Sequence, residues 1–205
     1  MLRSEPLLSW RRLVGACALV LLGVLAWPLM RASAEAVFRG AATATLGELT
    51  FGMGGHVAFL PAKPRAPRER YDEDDSWSTR VELRIDGAEG RYGIRMNARR
   101  LVYLPCVVLV ALVLASPLSA QRKVIALALG AALVLASALL SAWLTAAWLF
   151  ARAPGLVYAL DGFEQRLLDF GYEAWVTALG NRFIVPIMIA AVLIPALAQR
   201  RASAR

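Results

Sequence analysis

Four stretches without a charged residue constrain the fold of this 205-residue chain more than any other feature. They are residues 13–30, 101–118, 124–150 and 183–198. A helix needs about 20 apolar residues to cross the roughly 30 Å hydrocarbon core of a bilayer, and fewer where flanking side chains reach the interface. The sequence therefore predicts a mainly α-helical, polytopic membrane protein with four transmembrane helices, in which 183–198 is the shortest span.

The basic residues indicate how these spans are oriented. If the amino terminus is cytoplasmic, the cytoplasmic segments are 1–12, 119–123 and 199–205, which hold eight Arg or Lys and one acidic residue. Because cytoplasmic loops carry an excess of Lys and Arg, we predict that both termini are cytoplasmic and that 31–100 and 151–182 lie outside. Arginine far outnumbers lysine, which is typical of GC-rich bacterial genomes, so the predicted location is the bacterial inner membrane.

The net charge of +8 does not favour nucleic-acid binding, because almost all of the excess lies in the cytoplasmic segments. The first apolar stretch also has features of a signal peptide, with a basic start and the small residues "ASA" at 32–34. Its apolar run is longer than is usual for a signal peptide, so we predict that it is retained as an anchor.

The sequence "VELRIDGAEGRYGIRM" at 81–96 predicts a soluble β-hairpin within residues 79–97 of the outer insert. Apolar and charged residues alternate on both arms, so each strand has one apolar and one charged face. We predict a register that aligns the apolar faces, pairing Ile85 with Tyr92, Leu83 with Ile94 and Val81 with Met96. The same register places opposite charges across from each other, in the pairs Glu82–Arg95 and Asp86–Arg91.

The charged face of this hairpin is the predicted interaction surface. An isolated two-stranded hairpin is marginally stable, so its apolar face needs a cover. The candidates are a strand at 57–60 and the outer helix described below, which together would make a small sheet-and-helix cap on the bundle. Its charged face and free strand edges are then available, because unpaired backbone groups at an edge are a template for strand addition. We therefore predict a docking platform for another envelope protein, with interaction residues Arg84, Arg91 and Arg95.

Residues 153–181 predict an amphipathic helix on the outer side, lying in the membrane interface or capping the bundle. Its apolar residues recur at steps of three and four: Leu156, Leu160, Phe163, Leu167, Phe170, Ala174 and Ala178. In the outer insert, residues 35–49 are predicted to continue the first helix past a break at Pro28. Residues 62–77, rich in proline and charge, are predicted to be a solvated loop.

The third span carries a stripe of small residues, which let helices approach closely in lipid. The stripe is Ala128, Ala132 and Ala136, with Ser137, Ser141 and Thr145 on a neighbouring row. We expect it to pack within the protein's own bundle, or against another membrane protein in an oligomer or hetero-complex.

Candidates for catalysis are few. His56 is the only histidine, and with Cys106 and a nearby arginine it would form a sortase-like transpeptidase site. Cys106, however, lies one turn into an apolar helix, where the thiolate is disfavoured. The acidic run 72–75 lacks the ligand pattern of a calcium loop. The sequence therefore predicts no catalytic residue, metal or cofactor, and no disulfide between Cys17 and Cys106, which lie at opposite depths.

Two segments resemble a known family. The sequence "RYGIRMNARRLVYLPCVVLVALVLASPLSAQRKVIALALG" at 91–130 and the final "NRFIVPIMIAAVLIPAL" at 181–197 are similar in pattern to the small membrane proteins associated with exosortase H. The resemblance implies a non-enzymatic accessory subunit of a protein-sorting system. Two alternatives remain, a sortase-like enzyme using Cys106 and His56, or a transport or pore subunit that acts only as an oligomer.

Overall fold

The computed structural model describes residues 10–47, 55–61, 79–85, 92–152, 161–178 and 183–199. Six α-helices lie within these ranges: α1 (Trp10–Leu25), α2 (Trp27–Leu46), α3 (Leu104–Ala115), α4 (Ala120–Arg152), α5 (Gly162–Gly171) and α6 (Ile184–Gln199). The remaining elements are two π-helices, π1 (Arg99–Tyr103) and π2 (Tyr172–Ala178), and three strands, β1 (Gly55–Pro61), β2 (Thr79–Ile85) and β3 (Tyr92–Met96). The predicted mainly α-helical fold with a small sheet is confirmed.

The described helices differ in whether they are long and apolar enough to cross a membrane. Helix α4 is the one described helix that is by itself long and apolar enough to do so. Helices α1 and α2 meet the same criterion only as a pair, and the pair is bent by 77°. Helix α6 is apolar but shorter.

The bend between α1 and α2 divides the predicted span 13–30 close to the break expected at Pro28. It falls at Ala26, two residues before Pro28. Proline has no backbone N–H, and its ring clashes with the carbonyl four residues earlier, so the helix kinks there. Beyond the bend α2 runs on to Leu46, as the helical pattern of 35–49 indicates, and buries Phe38 and Ala42.

Helix α3 lies at the centre of the bundle and packs against α1, α4 and α6. Two glycines allow the closest of these contacts. A Cβ atom at Gly130 of α4 would lie 2.5 Å from Cδ2 of Leu109, and one at Gly23 of α1 would overlap the side chain of Val107. The two helices can approach α3 this closely only because neither position carries a side chain.

One end of the bundle is closed by basic side chains. Arg122, near the start of α4, donates a hydrogen bond of 2.7 Å from Nη1 to the carbonyl of Leu197 in α6. Lys123 donates one of 2.7 Å from Nζ to the carbonyl of Leu114 in α3. Cations are favourable at the carbonyl end of a helix, so these residues cap the last turns of α3 and α6. Both helices therefore run antiparallel to α4.

The strands form one antiparallel sheet in the order β1-β2-β3. Its register corrects the prediction by two residues, since β2 and β3 pair Thr79 with Met96, Arg80 with Arg95, Val81 with Ile94, Glu82 with Gly93 and Leu83 with Tyr92. The expected Glu82–Arg95 pair is thus replaced by Arg80 opposite Arg95. The predicted turn at 87–90 and the Asp86–Arg91 pair lie outside the described residues.

The predicted strand at 57–60 forms and joins the sheet, but the cover of the apolar sheet face differs from the prediction. Strand β1 pairs edge to edge with β2 and so widens the sheet without covering it. The buried side chains of the sheet form one core with residues of α2 and of the second half of α4. This core contains Phe38, Ala42 and Leu46 of α2, Val57, Phe59, Val81 and Met96 of the sheet, and Ala138, Ala142, Ala146 and Phe150 of α4. The amphipathic helix α5 instead packs on α4.

Candidate interaction surface

The sheet face that points away from this core carries charged residues on β2 and β3, and Ala58 and Leu60 on β1. Arg80, Glu82 and Arg95 alternate along their strands with the buried Thr79, Val81 and Met96, so they share the opposite face. Arg80 and Arg95 stand directly across from each other, an arrangement of like charges that is unfavourable by itself. Arg80 is held by Glu82, with Nε and Oε1 3.2 Å apart.

Glu82 is more buried than a solvated charged face would suggest. Only 6% of the residue is exposed, although it belongs to the charged side of the central strand. Its neighbours in the register are Ala58 of β1 and Gly93 of β3, which are both small. A carboxylate in such a place is stabilised by the adjacent guanidinium group.

The three arginines predicted to bind a partner have different positions in the structure. Arg95 lies in β3 and is half-buried on the charged face. Arg84 lies in β2, paired with His56 of β1, but its side chain is outside the described part of the chain. Arg91 falls entirely outside the described residues. By the register, Arg80, Arg84 and Arg95 nevertheless occupy positions on the same face of the sheet. An interaction surface on this face therefore includes Arg80, which was not among the predicted residues.

The small-residue stripe predicted on α4 divides into two parts. Ala128, Ala132 and Ala136 are exposed, so they do not pack within the described bundle. Ser137 is half-buried and Ser141 is buried; the Ser141 hydroxyl donates to the Ser137 carbonyl at 3.1 Å. The proton of this hydroxyl is therefore bonded within its own helix.

The row of α4 that packs inside is displaced by two residues from the predicted one. It repeats every fourth residue, and its members are Ala126, Gly130, Val134, Ala138, Ala142, Ala146 and Phe150. All are buried. Gly130 was the signal in the sequence, because it is the one glycine of α4 and small residues mark the closest helix contacts in membranes.

Of the two residues in the alternative catalytic site, the structure describes the side chain of Cys106 but not that of His56. The Cys106 side chain is half-buried and packs against apolar residues of both core clusters. His56 lies in β1, and its side chain is outside the described part. Both Cys17 and Cys106 are free thiols. Among the described residues, no three His, Cys, Asp or Glu side chains are grouped as a metal site requires, and the acidic run 72–75 is outside them.

Two clusters of aromatic and basic side chains, which the sequence analysis did not identify, lie on the side of the bundle away from Arg122. In the first, the Tyr103 hydroxyl donates to the Gly23 carbonyl at 2.6 Å, and its ring centroid lies 4.9 Å from that of Trp27. The Arg99 guanidinium lies over the Trp27 ring, 5.6 Å from its centroid. This cluster joins the end of α1 to the start of α3, so these helices are also antiparallel.

The second cluster joins α5 and π2 to the end of α4. Arg152 lies over the Trp148 ring at 4.3 Å, and Trp148 stacks on Tyr172 at 4.6 Å with the ring planes 13° apart. The same guanidinium pairs with Asp169 at 3.0 Å. Burial raises the pKa of Tyr172, and the nearby charge of Arg152 opposes that rise in part. The phenol therefore remains neutral in the physiological range.

Comparison of the chain with models of known protein families, with curated proteins and with solved structures finds no match.

Proposed function

We propose that this chain is a non-enzymatic accessory subunit of a bacterial inner-membrane assembly. In this proposal it crosses the membrane four times, with both termini in the cytoplasm, and presents the charged sheet face to a partner outside. The observation that carries the proposal is the contrast between the two parts of α4, one with large apolar side chains exposed and the other enclosed beneath the sheet.

The first part of α4 has the surface of a membrane-spanning helix. Its exposed apolar side chains begin at Val124, directly after the Arg122–Lys123 pair, and end at Trp143. These 20 residues correspond to about 30 Å of helix, the thickness of the hydrocarbon core. Basic residues at one limit and an exposed tryptophan at the other are typical of the cytoplasmic and outer interfaces.

The second part of α4 has the surface of a support for the sheet. From Leu144 to Phe150 its side chains are buried or half-buried, and Ala146 and Phe150 belong to the core shared with Val81. The helix therefore continues beyond the proposed bilayer and forms the base of the sheet. This position keeps the charged face away from lipid.

The neighbouring helices support the same arrangement. Large apolar side chains are also exposed on α1 and α6, among them Leu21, Leu22, Ile187 and Met188. Exposed apolar surface of this extent is unusual for a soluble monomer and is favourable in lipid. The antiparallel contacts of α3 with α1 and α4, and of α6 with α4, put the ends expected in the cytoplasm on one side.

The charge of the sheet face favours an acidic partner. Glu82 is the one carboxylate among the described residues of this face, whereas three arginines occupy positions on it, Arg80, Arg84 and Arg95. Electrostatic complementarity would guide and orient such a partner. The resemblance to exosortase-associated proteins makes a membrane transpeptidase of that class, or its substrate, the partner that we propose to test.

Topology is tested with reporter fusions. Fusions at Ser119 and after Arg205 should report the cytoplasm, and a fusion at Asp74 should report the outer side. A cytoplasmic signal from Asp74 would overturn the whole proposal, because it would invert the sheet to the inner face.

Docking is tested by copurification from native membranes. Charge reversal at Arg84, Arg91 and Arg95 should leave the protein inserted and folded but release an acidic partner, whereas Arg→Lys changes at the same positions should retain it. If the charge-reversed protein still copurifies with every native partner at wild-type yield, the sheet is only a lid on the bundle.

A Cys106→Ala variant should keep function, and loss of function in this variant would favour the transpeptidase alternative.

A further inference from the structure

Helix α5 has an apolar face that nothing in the described chain covers. Phe163, Leu167 and Phe170 lie at helical spacing, and they are 73%, 60% and 70% exposed. The helix is nevertheless well formed, because the Asp161 carboxylate caps its start and accepts hydrogen bonds from the backbone N–H groups of Phe163 and Glu164 at 3.0 and 2.8 Å. An ordered helix therefore keeps its apolar stripe pointing away from the protein.

The attachment of α5 places this stripe near the outer limit of the proposed span. A Cβ atom at Gly171 would lie 3.5 Å from Leu144, the residue after Trp143. Asp169 is fixed by Arg152, and Tyr172 by Trp148. The carboxyl end of α5 thus lies beside the part of α4 from Leu144 to Arg152, just outside the proposed hydrocarbon core, at the level of the headgroups.

The outer end of α6 does not reach the level of Trp143. The Arg122–Leu197 hydrogen bond sets α6 beside the start of α4, and from Leu197 back to Ile184 is about 20 Å of helix. From Arg122 to Trp143 along α4 is about 32 Å. Ile184, at the outer end of α6, therefore lies about 12 Å below the level of Trp143. Helix α4 contacts α6, π2 and α5, so all three pack along α4.

We infer that the Phe163–Leu167–Phe170 face of α5 is inserted into the outer leaflet, among the lipid headgroups and upper acyl chains. This inference rests on the proposed function, because it requires α4 to span. Lipid is favoured over a second copy of the chain for two reasons. The carboxyl end of α5 lies just outside the exposed apolar part of α4, at the level of the headgroups, and three side chains are far less than the roughly 800 Å² that each partner buries in a stable dimer. Lipid contact by an amphipathic helix has no such minimum.

The test uses the full chain in nanodiscs that hold one copy each, with Cys17 and Cys106 replaced by Ala. A polarity-sensitive fluorophore is attached in separate variants at Leu167→Cys, at Phe170→Cys and at Glu164→Cys, which lies on the polar side of α5. The nanodiscs contain lipids that carry a quenching nitroxide either near the headgroup or near the chain end. A further variant, Leu133→Cys, reports on the middle of α4.

Lipid insertion predicts emission at shorter wavelength and loss of emission with the headgroup-level quencher for Leu167 and Phe170, and neither effect for Glu164. Water-like, unquenched emission at Leu167 would overturn the inference. Shielding that appears only with two copies in a disc, without lipid quenching, would also overturn it and indicate a dimer. Leu133 should be quenched by the deep probe; if it is quenched while Leu167 is not, the proposed span stands and the inference about α5 fails alone.

Discussion

Replacement of Gly130 by alanine tests the packing of the bundle at its tightest described contact between α3 and α4. The new Cβ would lie 2.5, 3.0 and 3.2 Å from Cδ2, Cδ1 and Cγ of Leu109. Leu109 is 1% exposed and is enclosed by Val113, Val134 and Ala190, so its side chain has little space to move. The helices must separate or the leucine must leave its rotamer.

The expected cost follows from two opposing effects. Overpacking of a well-packed core costs about 1–3 kcal/mol, and replacing glycine in a helix interior gains roughly 0.5–1 kcal/mol. The middle of each range leaves a net destabilisation of about 1 kcal/mol. In a chain of this length it corresponds to a fall in Tm of roughly 2–4 °C.

The assay is thermal unfolding in a fixed detergent or nanodisc, with Gly15→Ala as the matched control. Gly15 is also a glycine within an α-helix, and a Cβ there would have no atom within 4 Å. Gly15→Ala should leave Tm unchanged or slightly raised, and Leu109→Ala should partly rescue Gly130→Ala in a double-mutant cycle. Equal effects of the two glycine replacements, or strict additivity with Leu109→Ala, would refute the close α3–α4 contact.

Three further substitutions test individual side chains. Thr79→Val should leave stability unchanged or raise it by up to about 1 kcal/mol, because the buried Thr79 hydroxyl has no hydrogen-bond partner among the described residues; a lower Tm would indicate a partner beyond them. Tyr103→Phe removes the 2.6 Å bond to the Gly23 carbonyl and should cost about 0.5–1.5 kcal/mol in the same unfolding assay. The pKa of Tyr172 is raised by burial from its ordinary 10.0, so its contribution to stability is present below that pH and lost as pH rises through the raised value. Arg152→Gln should raise that pKa further, measured as the phenolate absorbance difference against Tyr172→Phe; a lower value would contradict the assigned role of Arg152.

The faces of the sheet could be predicted from the sequence, but the register could not. Strict alternation assigns Val81 to the apolar side and Glu82 to the charged side, and the structure agrees. A shift of two residues keeps every side chain on its face, so the alternation fits both registers equally well. The choice rests on turn geometry and on β1, which pairs along the whole of β2, and neither is encoded in the hairpin pattern.

The helices show a similar division. Their apolar runs predict where helices form, and Pro28 predicts a break, but the 77° bend depends on what α2 packs against after it. In the alanine-rich α4 several rows of small residues satisfy the same spacing, so composition cannot select the buried row. Ala132 and Ala142 are alike in sequence, yet only Ala142 lies beneath the sheet. Tertiary contacts decide such cases.

The join between sheet and bundle explains why a soluble-looking hairpin belongs in this chain. Only Asn97 and Ala98 separate β3 from π1, and they are 4% and 0% exposed. The Asn97 side chain accepts a hydrogen bond of 3.2 Å from the backbone N–H of Arg100. The Asn97 backbone carbonyl accepts one of 3.0 Å from the backbone N–H of Leu101. The strand thus enters the first turn of the bundle without a flexible linker. Since residues of the apolar face also share a core with α4, the sheet is anchored to the bundle at two places, as the proposed docking platform requires.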